Sequence, residues 1–365
     1  TSSTQVAADV KSTLPASVVG SSNPTTKWSE GAFSSVRGFP KALAFYEERL
    51  FFAGTTHQPQ TIFGSVSADF ENHTPGTNDD DAVNVTIASD QVNVIKHLLP
   101  GRFLQILTTS AEFTLSGGTG TTAVTPTNVN VLRETTFGTS QVRPLRAGNS
   151  TILVQKGTEK VKEITFDLDT DGLLGVDLTV LADHITRGGL TDMIWQQEPE
   201  LILWFVGADG ALIGLTYDRA NGTVGWHGHQ LGDSGIVESI TAIPSGAEDQ
   251  VYLSVKRTIN SATVRHIVFL KSINFGSDIT DAFFVDSGLT YSGSATTTIT
   301  GLNHLEGETV QILADGSAHA DKTVSGGSIT LDRSATKVHI GLGFTSFIKT
   351  LRLEGGANDG TSQGK

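Results

Sequence analysis

The chain has 365 residues, 40 of which are glycine, and it contains no cysteine. This length is enough for one large β domain or two to three smaller ones, and the lack of cysteine excludes disulfides, thiolate-bound zinc and thiol catalysis. Lys and Arg number 25 against 38 Asp and Glu, and the net charge of −13 argues against a protein that grips nucleic acid through clustered cations. No segment approaches the roughly 20 consecutive apolar residues of a membrane span.

The composition predicts an all-β fold with very little helix, because Gly, Thr, Ser and β-branched residues favour tight turns and strands. We expect an N-terminal arm over residues 1–27 and a propeller-like body of repeated antiparallel blades over 28–275. Three blades are predicted before residue 167. Their strands are Ala42–Phe45, Arg49–Ala53 and Thr61–Ser65 in the first, Val92–Leu99, Phe103–Thr108 and Glu112–Ser116 in the second, and Gln141–Ala147, Thr151–Gln155 and Val161–Phe166 in the third.

Two polar segments between these strands are predicted to be exposed loops. Glu71–Ala82 contains three consecutive aspartates and has nothing to bury, and Gly117–Asn130 is rich in Gly and Thr. Thr26–Phe33 is a candidate partner strand for the first blade. Asp167–Arg187 is predicted to connect the third blade to the fourth.

Turn sequences mark the fourth and fifth blades most clearly. Asp209-Gly210 and Asn221-Gly222 are typical two-residue hairpin turns. The fifth blade is predicted within Gly235–Leu270. Five blades are therefore visible, and six or seven would follow if strands from beyond these chain ends complete the ring. The predicted strands of the fourth blade are Thr191–Gln196, Leu201–Val206, Leu212–Tyr217 and Val224–His229.

The sequence changes character after residue 275. From Ser287 to Glu354 it reads as short Thr, Val and Ile strands with Gly turns and almost no aromatic residues. We expect a separate small β-sandwich or barrel over residues 276–355, near the lower size limit for independent folding. Residues 356–365 are polar and glycine-rich, as in a flexible linker, and both ends look cut rather than natural, which leaves open whether the chain is a fragment.

A series of spaced phrases resembles a family of tail proteins from short-tailed bacteriophages, the tail tube, hub and nozzle proteins, also called packaged-DNA stabilisation proteins. The resemblance covers most of residues 28–354, and its specificity lies in the series, since each phrase alone is an ordinary strand and turn. The phrases are Phe39-Pro40, Arg49–Thr55, Pro59–Ser65, Asp69-Phe70, Asp209-Gly210, Leu215–Arg219, Gly225–His227, Gly235–Ile240, Arg265–Ile267 and Gly301–Gly307.

The resemblance implies a non-enzymatic structural virion protein, synthesised in the host cytoplasm and built into the phage tail as a hub or nozzle. It implies self-association into a ring, expected to be a hexamer, that acts as a head–tail connector below the portal during DNA retention and ejection. The implied partners are the portal or adaptor, other tail proteins and, transiently and without sequence preference, the passing DNA. An acidic lumen would repel phosphate and let the DNA slide.

Asp167, Asp169 and Asp171 form the best candidate site in the sequence. With Gly172 they match positions 1, 3, 5 and 6 of a calcium-binding loop, in which alternate carboxylates converge on one hard cation. Position 12 is Leu178 rather than Glu, and the flanking segments read as strands rather than helices. The alternatives are therefore a Ca²⁺ site, the one cofactor suggested, and an Asp-rich turn whose side chains bond their own backbone.

Histidines and tryptophans offer weaker candidates. Alternate residues on a strand share a face, so His227 and His229, with Trp226, suggest a metal or sugar site. No third ligand is visible, and structural or solvated histidines are expected. His184 and His266 read as isolated. The four tryptophans form either a sugar platform or core packing, and core packing is expected. They are Trp28, Trp195, Trp204 and Trp226.

Basic residues concentrate around the third blade, where they either line a subunit interface or belong to an ordinary charged surface. They are Arg133, Arg143, Arg146, Lys156, Lys160 and Lys162. Two other functions compete with the connector hypothesis. One is a carbohydrate-binding or glycan-degrading propeller in host adsorption, with a pocket of two carboxylates. The other is a general interaction scaffold in a cell.

Overall fold

The computed structural model describes residues 16–18, 20, 31–118, 122–169 and 171–350. These residues form 23 strands in six antiparallel sheets, together with a four-residue helix, α1 (Asp183–Thr186), and short 3-10 turns. The predicted all-β fold is confirmed. Of the predicted arm over 1–27, only 16–18 and 20 are described, and the predicted linker over 356–365 lies outside the described residues. Among the described residues, no helix has the length and apolar character needed to cross a membrane.

The first two sheets are four-stranded meanders, in which strands adjacent in sequence pair in the sheet. Val83 in the first sheet is buried against the core, and this burial explains why its fourth strand lies there rather than at the predicted Thr26–Phe33. The described part of that segment, residues 31–33, contains no strand. The strands are β1 (Ala42–Tyr46), β2 (Arg49–Ala53), β3 (Thr61–Gly64) and β4 (Val83–Thr86) in the first sheet, and β5 (Ile95–Leu99), β6 (Leu104–Thr108), β7 (Glu112–Gly117) and β8 (Val129–Thr135) in the second.

The third and fourth sheets are also meanders of four strands, and the fifth has three. The segment Asp167–Arg187 is not simply a connection, because it contains a strand whose Leu173 packs between the second and third sheets. The strands are β9 (Leu145–Ala147), β10 (Ser150–Val154), β11 (Val161–Asp167) and β12 (Gly172–Asp177), then β13 (Leu190–Gln196), β14 (Ile202–Gly207), β15 (Leu212–Asp218) and β16 (Thr223–His229), then β17 (Ile236–Ser245), β18 (Glu248–Ile259) and β19 (Ala262–Phe269).

The predicted loop over Gly117–Asn130 also needs correction at both ends. Gly117 is the last residue of β7 and Asn130 already lies in β8. Leu115 pairs with Val131 across these two strands, and this apolar pairing extends the hairpin into the segment. The other predicted loop, Glu71–Ala82, contains no strand and is largely exposed.

Each of the first four sheets packs on the next one through a buried apolar cluster. Because side chains alternate between the two faces of a strand, an inner sheet can bury both faces at once. Separate buried clusters join the first sheet to the second, the second to the third, and so on to the fifth. This sequential stacking of meanders is the propeller-like arrangement of blades. Representative residues in these clusters are Phe51 with Ile106, Leu107 with Leu153, Ile152 with Phe205, and Trp204 with Val255.

The Asp209-Gly210 turn joins β14 to β15 as predicted, and it also fixes the next sheet. Gly210 has a positive φ of 83°, and a Cβ there would lie 2.3 Å from Cγ2 of Ile236. The Gly210 carbonyl accepts a hydrogen bond of 2.9 Å from the backbone N–H of Val237. Glycine is therefore required both by the turn conformation and by the close approach of the fifth sheet.

The sixth sheet has the strand order β20-β23-β21-β22 and a hydrophobic core of its own. Bulges interrupt the pairing of its two 15-residue strands, and residues from both ends of those strands, such as Ile299 and Ile340, share that core. Ile259 of the fifth sheet packs into the same core. The division at 275/276 stays a prediction. The strands are β20 (Asp286–Thr300), β21 (Thr309–Ala314), β22 (Ser317–Thr323) and β23 (Ser328–Leu342).

Candidate functional site

The first sheet presents an apolar face to solvent. In β1, Ala42 and Ala44 point into the core shared with the second sheet, whereas Leu43 and Phe45 on the opposite face are 63% and 58% exposed. The ring of Phe45 packs edge-on against that of Phe70, with centroids 5.1 Å apart. We call Leu43, Phe45 and Phe70 the first end face.

The fifth sheet presents a second apolar face. Its Leu253 points toward the fourth sheet, and the strand register places Tyr252 beside Phe269 on the opposite face. Ile267 and Phe269 are 74% and 49% exposed, and the rings of Tyr252 and Phe269 lie 5.9 Å apart. Ile243 of β17 is exposed on the same face. We call Ile243, Tyr252, Ile267 and Phe269 the second end face.

The two end faces belong to the first and last members of the stacked row. Within the described residues, no hydrophobic cluster joins the first sheet to the fifth. Contiguous exposed apolar surface on a folded protein is a typical mark of an interaction site. The two faces are made of different residues, so contact between them would be heterologous, in which one copy contributes one face and its neighbour the other.

An open concave space of about 1940 Å³ extends over parts of the fourth sheet, the fifth sheet and the segment that enters the sixth. It also reaches Ile267 and Phe269 of the second end face. Its lining includes His227 and His229 from β16, Trp204 from β14, Val268 from β19 and Phe283. The structure therefore brings the two histidines noticed in the sequence to the wall of a large concave space. The predicted third member, Trp226, instead donates its indole N–H to the carbonyl of Leu178, at 2.8 Å.

The two imidazoles contact each other directly. Nδ1 of His227 lies 2.7 Å from Nε2 of His229, and Nε2 of His227 lies 3.3 Å from the hydroxyl of Thr216. Desolvation lowers the pKa of both rings, and for His229 the charge of His227 adds to this effect and brings the pKa to about 4. The ring of His229 is open to the cavity but surrounded by protein, which explains a desolvation effect on an accessible group. Both rings are neutral near pH 7.

The remaining histidine predictions have mixed outcomes. His184 lies on α1. The interpretation of His266 as isolated is wrong, because its ring and that of His304 lie with centroids 6.1 Å apart at the same cavity. The sequence gives no hint of this pair, since His266 lies in β19 and His304 in a 3-10 turn that follows β20.

The predicted calcium-loop aspartates lie on the hairpin between β11 and β12. Asp167 is the last residue of β11 and pairs with Gly172, while Asp169 and Asp171 are exposed in the turn. Asp171 has a positive φ of 47°, a conformation that Asp tolerates in turns. Among the residues with described positions, no group of three or more His, Asp or Glu side chains is arranged to hold a metal ion. Calcium binding stays a prediction.

The indole rings of the described tryptophans pack against other residues rather than facing solvent. Trp204 is 5% exposed, and Trp195 and Trp226 are half-buried against the core between the third and fourth sheets. The expected core packing is confirmed for these three, and Trp28 lies outside the described residues. A glycan platform would need their faces in solvent.

The basic residues of the third blade are partly neutralised. Lys160 and Lys162 both pair with Asp177, at 3.3 and 3.0 Å, and Arg133 lies 3.8 Å from Asp90. This pattern is typical of an ordinary charged surface. The role of these residues in a subunit interface stays a prediction.

Two buried arginines were not singled out in the sequence. The guanidinium of Arg49 donates to the carbonyls of Ser65, Asp79 and Asp81, at 2.6 to 2.7 Å, and so anchors the acidic loop through its main chain. The carboxylates of Asp79 and Asp80 remain in solvent. Arg257 ties the fifth sheet to the sixth through Asp286. In both strands the Arg takes a position on the face that is otherwise apolar and buried. This pattern is the sequence signal that indicates a buried, hydrogen-bonded arginine.

Comparisons with known proteins add little. No protein family and no curated protein matches the chain. Similar solved structures include the β-propeller domain of Cps50 (Swd1) from Myceliophteria thermophila, with 9% identity, 63% of this chain and 72% of that chain covered, and a TM-score of 0.37. A protein from Lactobacillus plantarum has 9% identity, 82% and 87% coverage and a TM-score of 0.38. Similarities this distant carry no argument, and the fold assignment rests on the sheets described above.

Proposed function

We propose that this chain is a structural component of the tail of a short-tailed bacteriophage, a hub or nozzle that forms a ring channel below the portal. The observation that carries the proposal is the presence of two different exposed apolar faces at opposite ends of one stacked row of sheets. Head-to-tail contact between such faces generates a ring when the rotation closes. The resemblance of the sequence to phage tail proteins supplies the biological setting.

The end faces would form the contacts between neighbouring copies. Phe45 and Phe70 of one copy would pack against Ile267 and Phe269 of the next, and burying such apolar surface yields about 25 cal/mol per Å². Stable interfaces bury about 800 Å² per partner, so the flanking strand surfaces must contribute as well.

The acidic surface would serve DNA passage. The chain carries a net charge of −13, and Arg49 holds the acidic loop by backbone carbonyls while leaving the Asp79 and Asp80 carboxylates exposed. Negative side chains lining a channel repel phosphate and prevent DNA from adhering. In this proposal the protein performs no reaction, retains packaged DNA by position and conducts it during ejection.

The test is native mass spectrometry of the protein alone and mixed with its cognate portal ring. A hexamer, or six copies recruited to the portal, is expected for the unmodified chain. Phe45→Asp in the first end face and Ile267→Asp in the second should each abolish assembly, whereas Leu181→Asp, at an exposed apolar residue outside both faces, should not. A chain that stays monomeric with and without the portal contradicts the proposal and favours the glycan-binding alternative.

A further inference from the structure

The histidine pair at the cavity has the geometry of a chelate. His227 and His229 are alternate residues of the edge strand β16, so both rings leave the same face. Their facing nitrogens, Nδ1 and Nε2, are 2.7 Å apart. Two imidazole nitrogens bound to one divalent metal at about 2.0–2.1 Å are separated by about 2.9–3.4 Å for bond angles between square and tetrahedral. A widening of a few tenths of an ångström would therefore admit a metal ion.

The sheet makes room for this arrangement. Gly214 of β15 pairs with His227, and a Cβ on Gly214 would lie 2.1 Å from Cε1 of the His227 ring. The imidazole therefore lies directly over the glycine, in space that any side chain would fill. Trp204 is the partner of Gly214 on the other side, and its ring reaches across the gap to contact both imidazoles, with centroids 6.0 and 4.8 Å away.

The surrounding groups also fix the orientation of the rings. Trp204 is buried, and its indole N–H donates to Oε1 of Gln196 at 2.8 Å, which holds the indole under the pair. The Thr216 hydroxyl lies 3.3 Å from Nε2 of His227, the nitrogen that faces away from His229. A hydrogen bond to the outer nitrogen is the usual way in which proteins orient a metal-binding imidazole.

We propose that His227 and His229 bind one divalent transition-metal ion, of the class Cu²⁺, Ni²⁺ or Zn²⁺, whose remaining coordination positions face the cavity. Imidazole nitrogen suits these ions, whereas Ca²⁺ and Mg²⁺ prefer oxygen ligands. The chain has no cysteine to compete for them. With two protein ligands, the other positions are filled by water or by a small anion that enters the cavity.

Binding requires one proton to move and none to be lost. In the metal-free pair a single hydrogen bridges Nδ1 of His227 and Nε2 of His229, because each neutral imidazole carries one N–H. When both facing nitrogens bind the metal, that hydrogen moves to the outer nitrogen of the ring that carries it, Nε2 of His227 or Nδ1 of His229, so no proton leaves the pair. On Nε2 of His227 it donates to the Thr216 hydroxyl, which lies 3.3 Å away.

The experiment titrates untagged protein with CuCl₂, NiCl₂ and ZnCl₂ by isothermal calorimetry and records the electron paramagnetic resonance spectrum of the Cu²⁺ complex. We expect one ion per chain, with Cu²⁺ bound most tightly. The spectrum should show coupling to two imidazole nitrogens, and Cu²⁺ should quench the fluorescence of Trp204. Comparison with a Trp204→Phe variant shows how much of the quenching is due to Trp204 rather than to the other tryptophans.

Three variants test the assignment of ligands. His229→Gln should abolish stoichiometric binding, Gly214→Ala should weaken it by displacing the His227 ring, and Thr216→Val should weaken it by about 10–100-fold. The matched control, His304→Gln, removes a histidine from the same cavity and should leave the affinity unchanged. Circular dichroism confirms that each variant is folded. Unchanged Cu²⁺ affinity and an unchanged spectrum in folded His229→Gln would overturn the proposal, as would a loss of binding in His304→Gln of the same size as in His229→Gln.

Discussion

The junction between the fifth and sixth sheets depends on one buried ion pair, and its removal should be costly. The side chain of Arg257 is 0% exposed and that of Asp286 12% exposed, with Nη2 of the arginine donating to Oδ2 of the aspartate at 2.6 Å. Arg257 also donates to the carbonyl of Gly232, and the same aspartate oxygen accepts the backbone N–H of Gly232 at 2.7 Å. Three chain segments therefore meet at one charge pair.

Arg257→Met keeps most of the side-chain volume but removes both donors. The Asp286 carboxylate is then left nearly buried with only the backbone N–H groups of Gly232 and Ser287 as partners, and the Gly232 carbonyl keeps only the N–H of Gly235. Removing one member of a buried pair costs about 3–5 kcal/mol, because the remaining charge is uncompensated. Since uncharged replacements of both members are often neutral, the double variant Arg257→Met/Asp286→Leu should recover much of this loss.

Native-state hydrogen exchange by mass spectrometry measures the effect locally, in peptides covering β18 and β20. The matched control is Arg265→Met, in the exposed pair with Glu238, whose side chains are 60% and 32% exposed. That change should cost at most about 1 kcal/mol, as surface pairs do. Equal losses in Arg257→Met and Arg265→Met would refute the reasoning, as would a double variant less stable than Arg257→Met alone.

Three further predictions concern the first, second and fourth sheets. Arg49→Met should release the acidic loop from the first sheet, seen as rapid proteolysis within residues 71–82, while Arg187→Met, in an exposed pair with Asp183, should leave the loop protected. Gly210→Ala should destabilise the protein by more than the roughly 1 kcal/mol typical of point mutations, because it adds a clash with Ile236 to an unfavourable positive φ. Gly222 also has a positive φ but open space around it, so Gly222→Ala should lower the free energy of unfolding in urea by less. Burial raises the pKa of Glu112 above its usual 4.5, so the folded state binds this proton more tightly than the unfolded state does. The resulting contribution to the free energy of unfolding is complete below pH 4.5 and is lost as the pH rises through the raised pKa. Melting temperatures between pH 4.5 and 8 should therefore fall less in Glu112→Gln than in the unmodified protein or in surface Glu200→Gln, and parallel curves would contradict this.

The sequence predicts the fourth sheet almost strand by strand because its turns and its core alternation agree. Asp209-Gly210 and Asn221-Gly222 can adopt the positive φ that tight hairpins need, and the runs between them are short and apolar. The outer strands β4, β8 and β12 could not be found in this way. Each follows a polar segment, and their residues are mostly half-exposed, so neither an apolar run nor strict alternation marks them.

The candidate sites depend on contacts that no local pattern contains. Leu43 and Phe45 belong to a strand with an ordinary sequence. Whether a neighbouring sheet covers their side chains depends on the order of the sheets in the fold. The His227–His229 pair is visible in the sequence, but its surroundings are not. Gly214 on β15 leaves the space for the His227 ring, and Trp204 on β14 packs beneath both rings. The aspartates around Asp169 satisfy a spacing rule, yet the hairpin register places them along a turn.

The most direct test of the ring proposal is the native mass of the unmodified chain and of an equimolar mixture of Phe45→Asp and Ile267→Asp. Each variant of the mixture retains one intact end face. The proposal predicts six copies of the unmodified chain in one complex, free or on the portal ring, and monomers for each variant alone. For the mixture it predicts heterodimers but no larger species, because the two intact faces can still join and the two substituted faces stop further growth. An unmodified chain that remains monomeric with its portal, or variants that assemble as well as the unmodified chain, would contradict it.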